Sequence, residues 1–352
     1  NAASGTGRAA GVNQISINNT ARVEVVYTPT PETTGSALAG SVNLVPRSAF
    51  ERTRTLINVS AALMFRDDER TLAATPGPQG KFTHKANPQL DVAAIVPLGP
   101  RLGFTFSAST LRVFAPQDFS QLTWRGAGAA TNGGTLPNTT PDNPYLTDFL
   151  IRDFPRQTRR TSAGVTLDYK LGPRDRVSLA VNTAFFAGDY SSRDLTFSIT
   201  RVLPGNFGPP FTRGFAAAGS LTLVNADRDQ DSANLSASLI YRHSGPIWRI
   251  EAGAGDSRAR TVLSNLSRGY FGGVNATRAG VTVAFEDIGA IRPGRILVTD
   301  GTTGATVDPY SLSTYSLVSG SGNSRFGRGY DDESRDLKRS AYVSAGRDLG
   351  LV

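Results

Sequence analysis

The sequence contains no cysteine, one methionine and two histidines. The absence of cysteine excludes a disulfide framework and a thiolate metal site. No uninterrupted apolar run approaches the roughly 18 residues that a transmembrane helix needs. The best candidate, residues 92–96, is followed by Pro97. A helical membrane protein is therefore excluded, whereas a membrane β-barrel is not, because its strands are apolar only at alternate positions.

Residue patterns for catalysis are also scarce. His84 and His243 fall in predicted turns or loops with no serine or aspartate constellation around them, and no phosphate-binding glycine loop occurs. Residues 227–231 begin like a calcium loop, but Ser232 stands at the position of the sharp-turn glycine and Ser238 at that of the bidentate glutamate. We therefore expect no enzyme activity, no cofactor and no metal site.

The net charge of +8 raises the possibility of nucleic-acid binding. Only four of the 37 basic residues are lysines, and the arginines are scattered through every segment. They form no basic stripe with interleaved aromatic residues, which a nucleic-acid interface would show. We therefore expect no nucleic-acid partner.

Three Gly-Pro dipeptides recur at equal intervals. They begin at Gly99, Gly172 and Gly245, and both intervals are 73 residues (172 − 99 and 245 − 172). Each dipeptide joins two alternating runs through three or four residues, which is a hairpin geometry. Together with the high glycine content (37 residues), this pattern predicts an all-β chain.

The alternating runs predict barrel strands that pair antiparallel in sequence order. We expect them near residues 54–65, 88–97, 102–113, 160–171, 176–187, 233–243, 247–258 and 336–348. In each run one set of alternate residues is apolar and the other polar. The pattern predicts that Leu167, Leu179, Leu239 and Ile250 lie on a convex face in contact with lipid.

The connections at the other ends of these strands are long, polar and rich in Gly, Pro, Asn and Asp. They cover residues 114–159, 188–232 and 259–335. Short turns at one end and long loops at the other are typical of an outer-membrane β-barrel. Tyr169, Tyr241 and Trp248, all near the short turns, lie where an interfacial aromatic girdle is expected. A soluble β-sandwich or solenoid is the alternative, although loops of this length are uncommon in compact soluble domains.

The first 47 residues follow a different pattern. Two short β-like runs, residues 22–27 and 41–45, flank a segment that contains Pro29, Pro31 and Gly35. Proline and glycine at this density exclude a long helix. We therefore predict a small β unit whose end is joined to a larger β domain.

The stretch ARVEVVYTPTPETTGSALAGSVNLVPRSAFERT, residues 21–53, resembles the C-terminal end of the plug domain of TonB-dependent outer-membrane receptors. The residues that match are Arg22-Val-Glu-Val25 and Ala39-Gly-Ser-Val-Asn-Leu-Val45; residues 28–32 replace the family's usual Arg/Lys-Gly-Pro step. The resemblance implies the C-terminal part of a plug at 1–47. Residues 48–352 would then be an incomplete transmembrane antiparallel β-barrel, about eight strands of a 22-stranded type.

The resemblance also implies a function. Such a receptor binds a scarce nutrient, such as a siderophore, cobalamin or an oligosaccharide-like ligand, and imports it across the outer membrane of a Gram-negative-type bacterium. Energy comes from the TonB–ExbB–ExbD complex, whose contact segment we expect to lie outside this stretch of chain. A passive or adhesive outer-membrane β-barrel and a soluble carbohydrate-binding β protein are the alternatives.

Five residues are candidate contacts by analogy with this family. Trp124 and Arg125, in a glycine-rich loop, and Tyr145 are the predicted ligand contacts. Arg22 and Glu24 lie on the polar side of a predicted plug strand. We expect them to pair with charges of the barrel lumen, because a charge buried there needs a partner.

Overall fold

The computed structural model describes residues 20–27, 41–65, 72, 74–126, 136–318, 327–329 and 331–347. This part of the chain is all-β, with no helix of seven or more residues. None of its helices is long and apolar enough to cross a membrane. The prediction of an all-β chain is confirmed.

Twenty strands make up the described fold. They are β1 Thr20–Val26, β2 Ser41–Pro46, β3 Leu56–Met64, β4 Ala74–Pro76, β5 Phe82–His84, β6 Asn87–Pro97, β7 Leu102–Phe114, β8 Gln117–Arg125, β9 Tyr145–Phe154, β10 Arg156–Lys170, β11 Asp175–Ile199, β12 Phe207–Gly208, β13 Phe211–Arg213, β14 Gly219–Ser244, β15 Trp248–Ser264, β16 Gly273–Ile288, β17 Pro293–Asp300, β18 Ser316–Leu317, β19 Gly327–Arg328 and β20 Asp332–Arg347. Short 3₁₀ turns cover Ala49–Glu51, Pro78–Gly80, Leu266–Arg268 and Leu312–Thr314.

Eight strands of the largest sheet form an antiparallel meander in the order β3-β6-β7-β10-β11-β14-β15-β20. Each of the eight predicted strands overlaps one of them, and consecutive strands pair as predicted. The Gly-Pro turns close three tight hairpins by backbone hydrogen bonds from Leu98 to Leu102 (2.9 Å), Leu171 to Asp175 (3.0 Å) and Gly245 to Trp248 (2.9 Å). We call this end of the sheet the hairpin end and the other the loop end.

The prediction of three long polar loops is wrong. Residues 114–159 contain β8 and β9, and residues 259–335 contain β16 and β17. Within 188–232, β11 continues to Ile199 and β14 begins at Gly219, so these two strands have 25 and 26 residues. At the loop end they are the centre of a second set of neighbours, in the order β8-β9-β11-β14-β16-β17.

The hydrophobic core lies at this loop end. Phe149, Phe197, Leu221 and Phe285 are each no more than 4% exposed and belong to one buried apolar cluster. The rings of Phe149 and Phe197 stack with centroids 6.4 Å apart. Because the alternate apolar residues of β9, β11, β14 and β16 fill this cluster, the loop end is built like a water-soluble β domain.

The hairpin end has the opposite arrangement. Leu167 lies opposite Leu179, which lies opposite Leu239, and these side chains are 41%, 41% and 49% exposed. We call the sheet face that carries them the leucine face. Ile250 is half-buried and lies on the same face. It precedes Ala254 by four residues on β15, and Ala254 pairs with Leu239. The prediction that these four residues share one face is confirmed, whereas their contact with lipid stays a prediction.

Polar side chains are buried on the other face of the same strands. Thr105, Ser107, Thr166 and Asp168 are each no more than 3% exposed. In a soluble β domain the apolar face is normally covered and the polar face hydrated. At the hairpin end this distribution is reversed.

The reversal occurs within single strands. The pairing of β11 with β14 runs through all 25 residues of β11 without a register shift, so alternate residues keep to one face. On the leucine face of β11, Leu179 and Phe185 are 41% and 54% exposed, whereas Phe197 and Ile199 are 4% and 2% exposed. One face of one strand therefore passes from exposed apolar to buried apolar residues between Phe185 and Leu195.

The two outer strands of the meander are open. All nine residues of β3 and all sixteen of β20 are exposed. Among the described residues, β3 pairs only with β6 and β20 only with β15. Each strand therefore presents one edge of unpaired backbone groups.

β1 and β2 form a separate two-stranded antiparallel sheet. Arg22 and Glu24 are ion-paired with each other, Nε to Oε1 at 2.6 Å, and their side chains are 68% and 39% exposed. Their predicted contact with lumen charges, and the domain boundary after residue 47, stay predictions.

A short turn after this sheet is seated on the buried polar face. Asp168 accepts hydrogen bonds from Ser48 Oγ (2.8 Å) and from the backbone N–H of Ala49 (2.9 Å), and also from Ser178 Oγ. Ala49 is completely buried, and a Cβ added at Gly103 would lie 2.6 Å from its Cβ. The absence of a side chain at residue 103 and one buried carboxylate therefore hold this turn on the sheet.

We expect Gly103→Ala and Asp168→Asn to release this turn. The first substitution places a methyl group where Ala49 packs; the second replaces one acceptor oxygen by a donor, so at least one accepted hydrogen bond is lost at a cost of about 1–3 kcal/mol. The measurement is hydrogen exchange at the Ala49 amide. Gly99→Ala is the control, because a Cβ there meets no atom within 4 Å. Unchanged protection in both variants would show that these contacts do not hold the turn on the sheet.

Candidate functional site

A polar trough runs along β11 and β14 on the leucine face, starting where the exposed apolar side chains end. It consists of three successive cavities with volumes of about 680, 410 and 350 Å³. The first two share Arg112, Arg159, Ala187 and Asp231. The third lies further towards the loop end and is lined by residues that include Ser191, Asn225, Asp227 and Tyr270.

Strand alternation explains the acidic floor of the trough. Asp227, Asp229 and Asp231 occupy alternate positions of β14 and therefore point to the same face. Asp229 lies directly opposite Asp189 of β11. Burial, and then the neighbouring charge of Asp229, raise the pKa of Asp189, so this carboxyl keeps its proton at a higher pH than an isolated aspartate.

The turn at Pro78–Gly80 covers part of the floor. Gln79 donates its backbone N–H to Ser191 Oγ (2.8 Å) and its side-chain amide to Asp229 Oδ1 (2.5 Å) and to the hydroxyl oxygen of Tyr270 (3.1 Å). Burial raises the pKa of Tyr270, which keeps the phenol neutral. Arg268 closes the wall by a 2.8 Å hydrogen bond from Nη2 to Asp231 Oδ2.

The trough offers both hydrogen-bond acceptors and cationic donors. Lys81, Arg112, Arg159 and Arg268 line the second cavity together with the acidic residues. The Oε1 atom of Gln79 is buried and has no hydrogen-bond partner within the described part of the chain. This composition suits a polar ligand with both donors and acceptors, such as a polyol, an amide or a carboxylate.

No metal centre is formed by the residues that the structure describes, since they contain no group of three or more His, Cys, Asp or Glu side chains close enough to hold an ion. His243 lies at the hairpin end of β14, away from the trough residues of the same strand. Its Nδ1 is 2.8 Å from Asp175 Oδ1. Tyr241 donates to the same oxygen at 2.6 Å. The prediction that both histidines lie in turns or loops is wrong, because His84 ends β5 and His243 lies in β14, where Asp175 is its cross-strand neighbour.

The three predicted ligand contacts lie away from the trough residues, at the paired ends of β8 and β9. Trp124 is 41% exposed. Arg125 Nε and the Tyr145 hydroxyl both donate to the carbonyl of Pro137, at 3.1 and 2.7 Å. Tyr145 is completely buried against Phe207, with ring centroids 4.3 Å apart, and a side chain without exposed surface cannot touch a ligand in this conformation.

The acidic residues of the trough have a signal in the sequence. The run Asp227-Arg-Asp-Gln-Asp231 places a carboxylate at every second residue, which on a strand means three carboxylates on one face. Lys81, Asp189 and Arg268 have no comparable signal, because they reach the trough from three separate segments of the chain.

Comparison of the chain with protein-family models, with curated proteins and with solved structures finds no match.

Proposed function

We propose that this chain belongs to an outer-membrane receptor of the TonB-dependent type, which binds a scarce polar nutrient and imports it. The observation that carries the proposal is the change along β11, where Leu179 and Phe185 are exposed and Phe197 is buried on one face. A strand that leaves lipid and enters water is expected to change in this way, because only the part in water needs to bury its apolar residues. The hairpin end would lie in the membrane and the loop end outside the cell.

The length of the exposed apolar band supports a membrane. On β11 the leucine-face residues from Val177 to Phe185 span roughly 25–30 Å at about 3.3 Å per residue; Leu179, Val181 and Phe185 are exposed, and Val177 and Thr183 are half-buried. A strand tilted by about 40° would then carry a band roughly 20–23 Å tall. The outward apolar band of outer-membrane barrels is about 25 Å tall.

The slant of the band across the sheet agrees with such a tilt. Arg339 pairs with Asp256, and the register connects this pair through Val181 to Ile57 of β3, seven strands away. Counted from Ala345 towards the loop end, the first charged residue on the leucine face of β20 is therefore in the same cross-strand row as Ile57. The leucine face of β3 remains apolar as far as Leu63, six residues further on (63 − 57).

A shift of six residues over seven strand steps corresponds to a slope of roughly 30°, using about 3.3 Å per residue and about 4.8 Å between strands. Transmembrane barrel strands are tilted by about 35–45° relative to the axis. A membrane plane that crosses tilted strands would produce this average slope. Most of the shift falls between β15 and β14, whose first charged leucine-face residues are Asp256 and Asp231.

The second and third cavities of the polar trough are the proposed nutrient site. It begins above the apolar band, faces the region that we assign to the outside, and offers donors and acceptors together. In this proposal TonB–ExbB–ExbD supplies the energy for import, as the resemblance of residues 21–53 implies. A passive or adhesive barrel would use the same wall without an energy source, and a soluble carbohydrate-binding protein would use the trough without a membrane.

Membrane fractionation of the full-length protein tests the proposal. We expect the protein in the outer-membrane fraction, resistant to alkaline extraction, and folded after purification only with detergent or lipid. Growth on a limiting nutrient should require both the protein and an active TonB system; growth that is independent of TonB would favour the passive barrel. A monodisperse monomer that folds in water without detergent would contradict the membrane proposal and favour the soluble alternative.

A further inference from the structure

The first cavity of the polar trough is built from two adjacent cross-strand rows. One row consists of Thr110, Thr161, Phe185, Ala233 and Arg260. The next consists of Arg112, Arg159, Ala187, Asp231 and Val262. Residues from every position of both rows line this cavity, which has a volume of about 680 Å³.

Two arginines in this cavity lack an acidic partner. Arg112 and Arg159 lie directly opposite each other on β7 and β10. No hydrogen bond or ion pair connects either guanidinium to another group in the part of the chain that the structure covers. Like charges in directly opposed positions destabilise a sheet, so this pair is a position where a bound anion would remove a repulsion.

The other charges of the cavity are already paired. Asp231 accepts a hydrogen bond from Arg268 at 2.8 Å, and Arg260 donates to Glu333 at 2.6 Å. Arg112 and Arg159 are therefore the two charges of the first cavity that have no ion-pair partner in the described part of the chain, while Asp189 and Asp229 lie in the adjoining second cavity.

Apolar surface adjoins the two arginines. Phe185 is 54% exposed, and Ala233 and Val262 line the same cavity. Phe185 also ends the exposed apolar band of the leucine face. The cavity therefore combines a hydrocarbon surface with a site for a doubly charged or bridging anion, which is the chemistry of a phosphorylated lipid and not that of a freely soluble anion.

We propose that this cavity binds the phosphate headgroup of an anionic lipid, with Arg112 and Arg159 holding the phosphate and Phe185 in contact with the acyl chain. This inference rests on the proposed membrane position of the hairpin end. Planar guanidinium groups bind phosphate oxygens with two parallel N–H donors, so two adjacent arginines can hold one headgroup from two sides. The lipid would fix the height of the wall in the membrane at the lower rim of the nutrient site.

The test counts retained lipids by native mass spectrometry. The full-length protein is reconstituted in nanodiscs of phosphatidylcholine that contain a minor fraction of phosphatidylglycerol, and then released into detergent. We expect the wild type to retain phosphatidylglycerol selectively. The double variant Arg112→Gln/Arg159→Gln should bind it about 30-fold more weakly, since each basic side chain at a membrane surface contributes roughly a factor of five.

The matched control removes two exposed arginines of the β16–β17 hairpin, Arg292→Gln/Arg295→Gln, and should retain the lipid as the wild type does. Equal retention by wild type and Arg112→Gln/Arg159→Gln, with both inserted, would overturn the lipid site and leave the membrane proposal intact. Displacement of the lipid by inorganic phosphate at equal concentration would show a free-anion site and overturn the lipid assignment. Failure of the wild type to insert would overturn both proposals.

Discussion

Replacement of Leu179 by arginine is expected to prevent stable insertion of the wall into the membrane. Leu179 lies within the exposed apolar band, and an arginine on the lipid face of a barrel costs about 2–4 kcal/mol at the midplane and less towards the interfaces. We expect a loss of about 2 kcal/mol or more from the free energy of unfolding in lipid vesicles. The amount of full-length protein in the outer membrane should fall accordingly.

The matched control is Leu203→Arg. Leu203 is the same residue type and is also 41% exposed, but it lies beyond β11 at the loop end. There the arginine would enter water, so we expect a change within about 0.5 kcal/mol, as for ordinary surface substitutions.

The two substitutions together separate the membrane proposal from the soluble alternative. If the hairpin end were in water, both leucines would be equally exposed surface residues and both variants would be near wild type. A large effect at Leu179 and none at Leu203 requires a solvent other than water around the hairpin end. Equal and small effects would rule out lipid contact on the leucine face.

The sequence predicted the meander well, for a physical reason. Tight hairpins need glycine and proline at fixed places, and strands beside them alternate over about ten residues. Both signals are local, so the pairs around Gly172 and Gly245 could be located without tertiary information. The shared face of Leu167 and Leu179 followed from the same alternation.

The strands at the loop end could not be located in the same way. The alternation in 195–199 and in 281–285 is clear once the strands are known, but each run is only about five residues long and is surrounded by polar residues and glycine. Short runs of this kind are ambiguous in sequence. They become strands because long-range pairing, such as Phe197 with Phe149, completes a buried cluster.

The candidate site, too, could not be located from local sequence patterns. Trp124, Arg125 and Tyr145 are residue types that often bind ligands, but burial cannot be deduced from residue type. Tyr145 is instead the buried donor that holds Pro137. The trough was not predicted because its floor comes from β11 and β14 while its cover comes from Gln79, about 150 residues away from Asp229 in sequence.

Replacement of Phe197 by alanine should destabilise the loop end strongly, and replacement of Phe185 should not. Both phenylalanines lie on the leucine face of β11, but Phe197 is 4% exposed within the hydrophobic cluster and Phe185 is 54% exposed. Truncation of a buried phenylalanine leaves a cavity and costs about 3–5 kcal/mol. We expect that loss for Phe197→Ala, measured by hydrogen exchange of the β9 and β11 amides in the full-length protein.

Phe185→Ala is the control on the same strand and face. Lipid chains are as apolar as a leucine side chain and can fill the space that a missing ring leaves, so we expect a loss of less than about 1 kcal/mol. Because both phenylalanines lie on one face of one strand, the difference between the two losses of stability reports the change from lipid to water along β11. Equal losses would mean that Phe185 is covered by protein, and the exposed apolar band would then be a docking face for another part of the protein and not a surface for lipid.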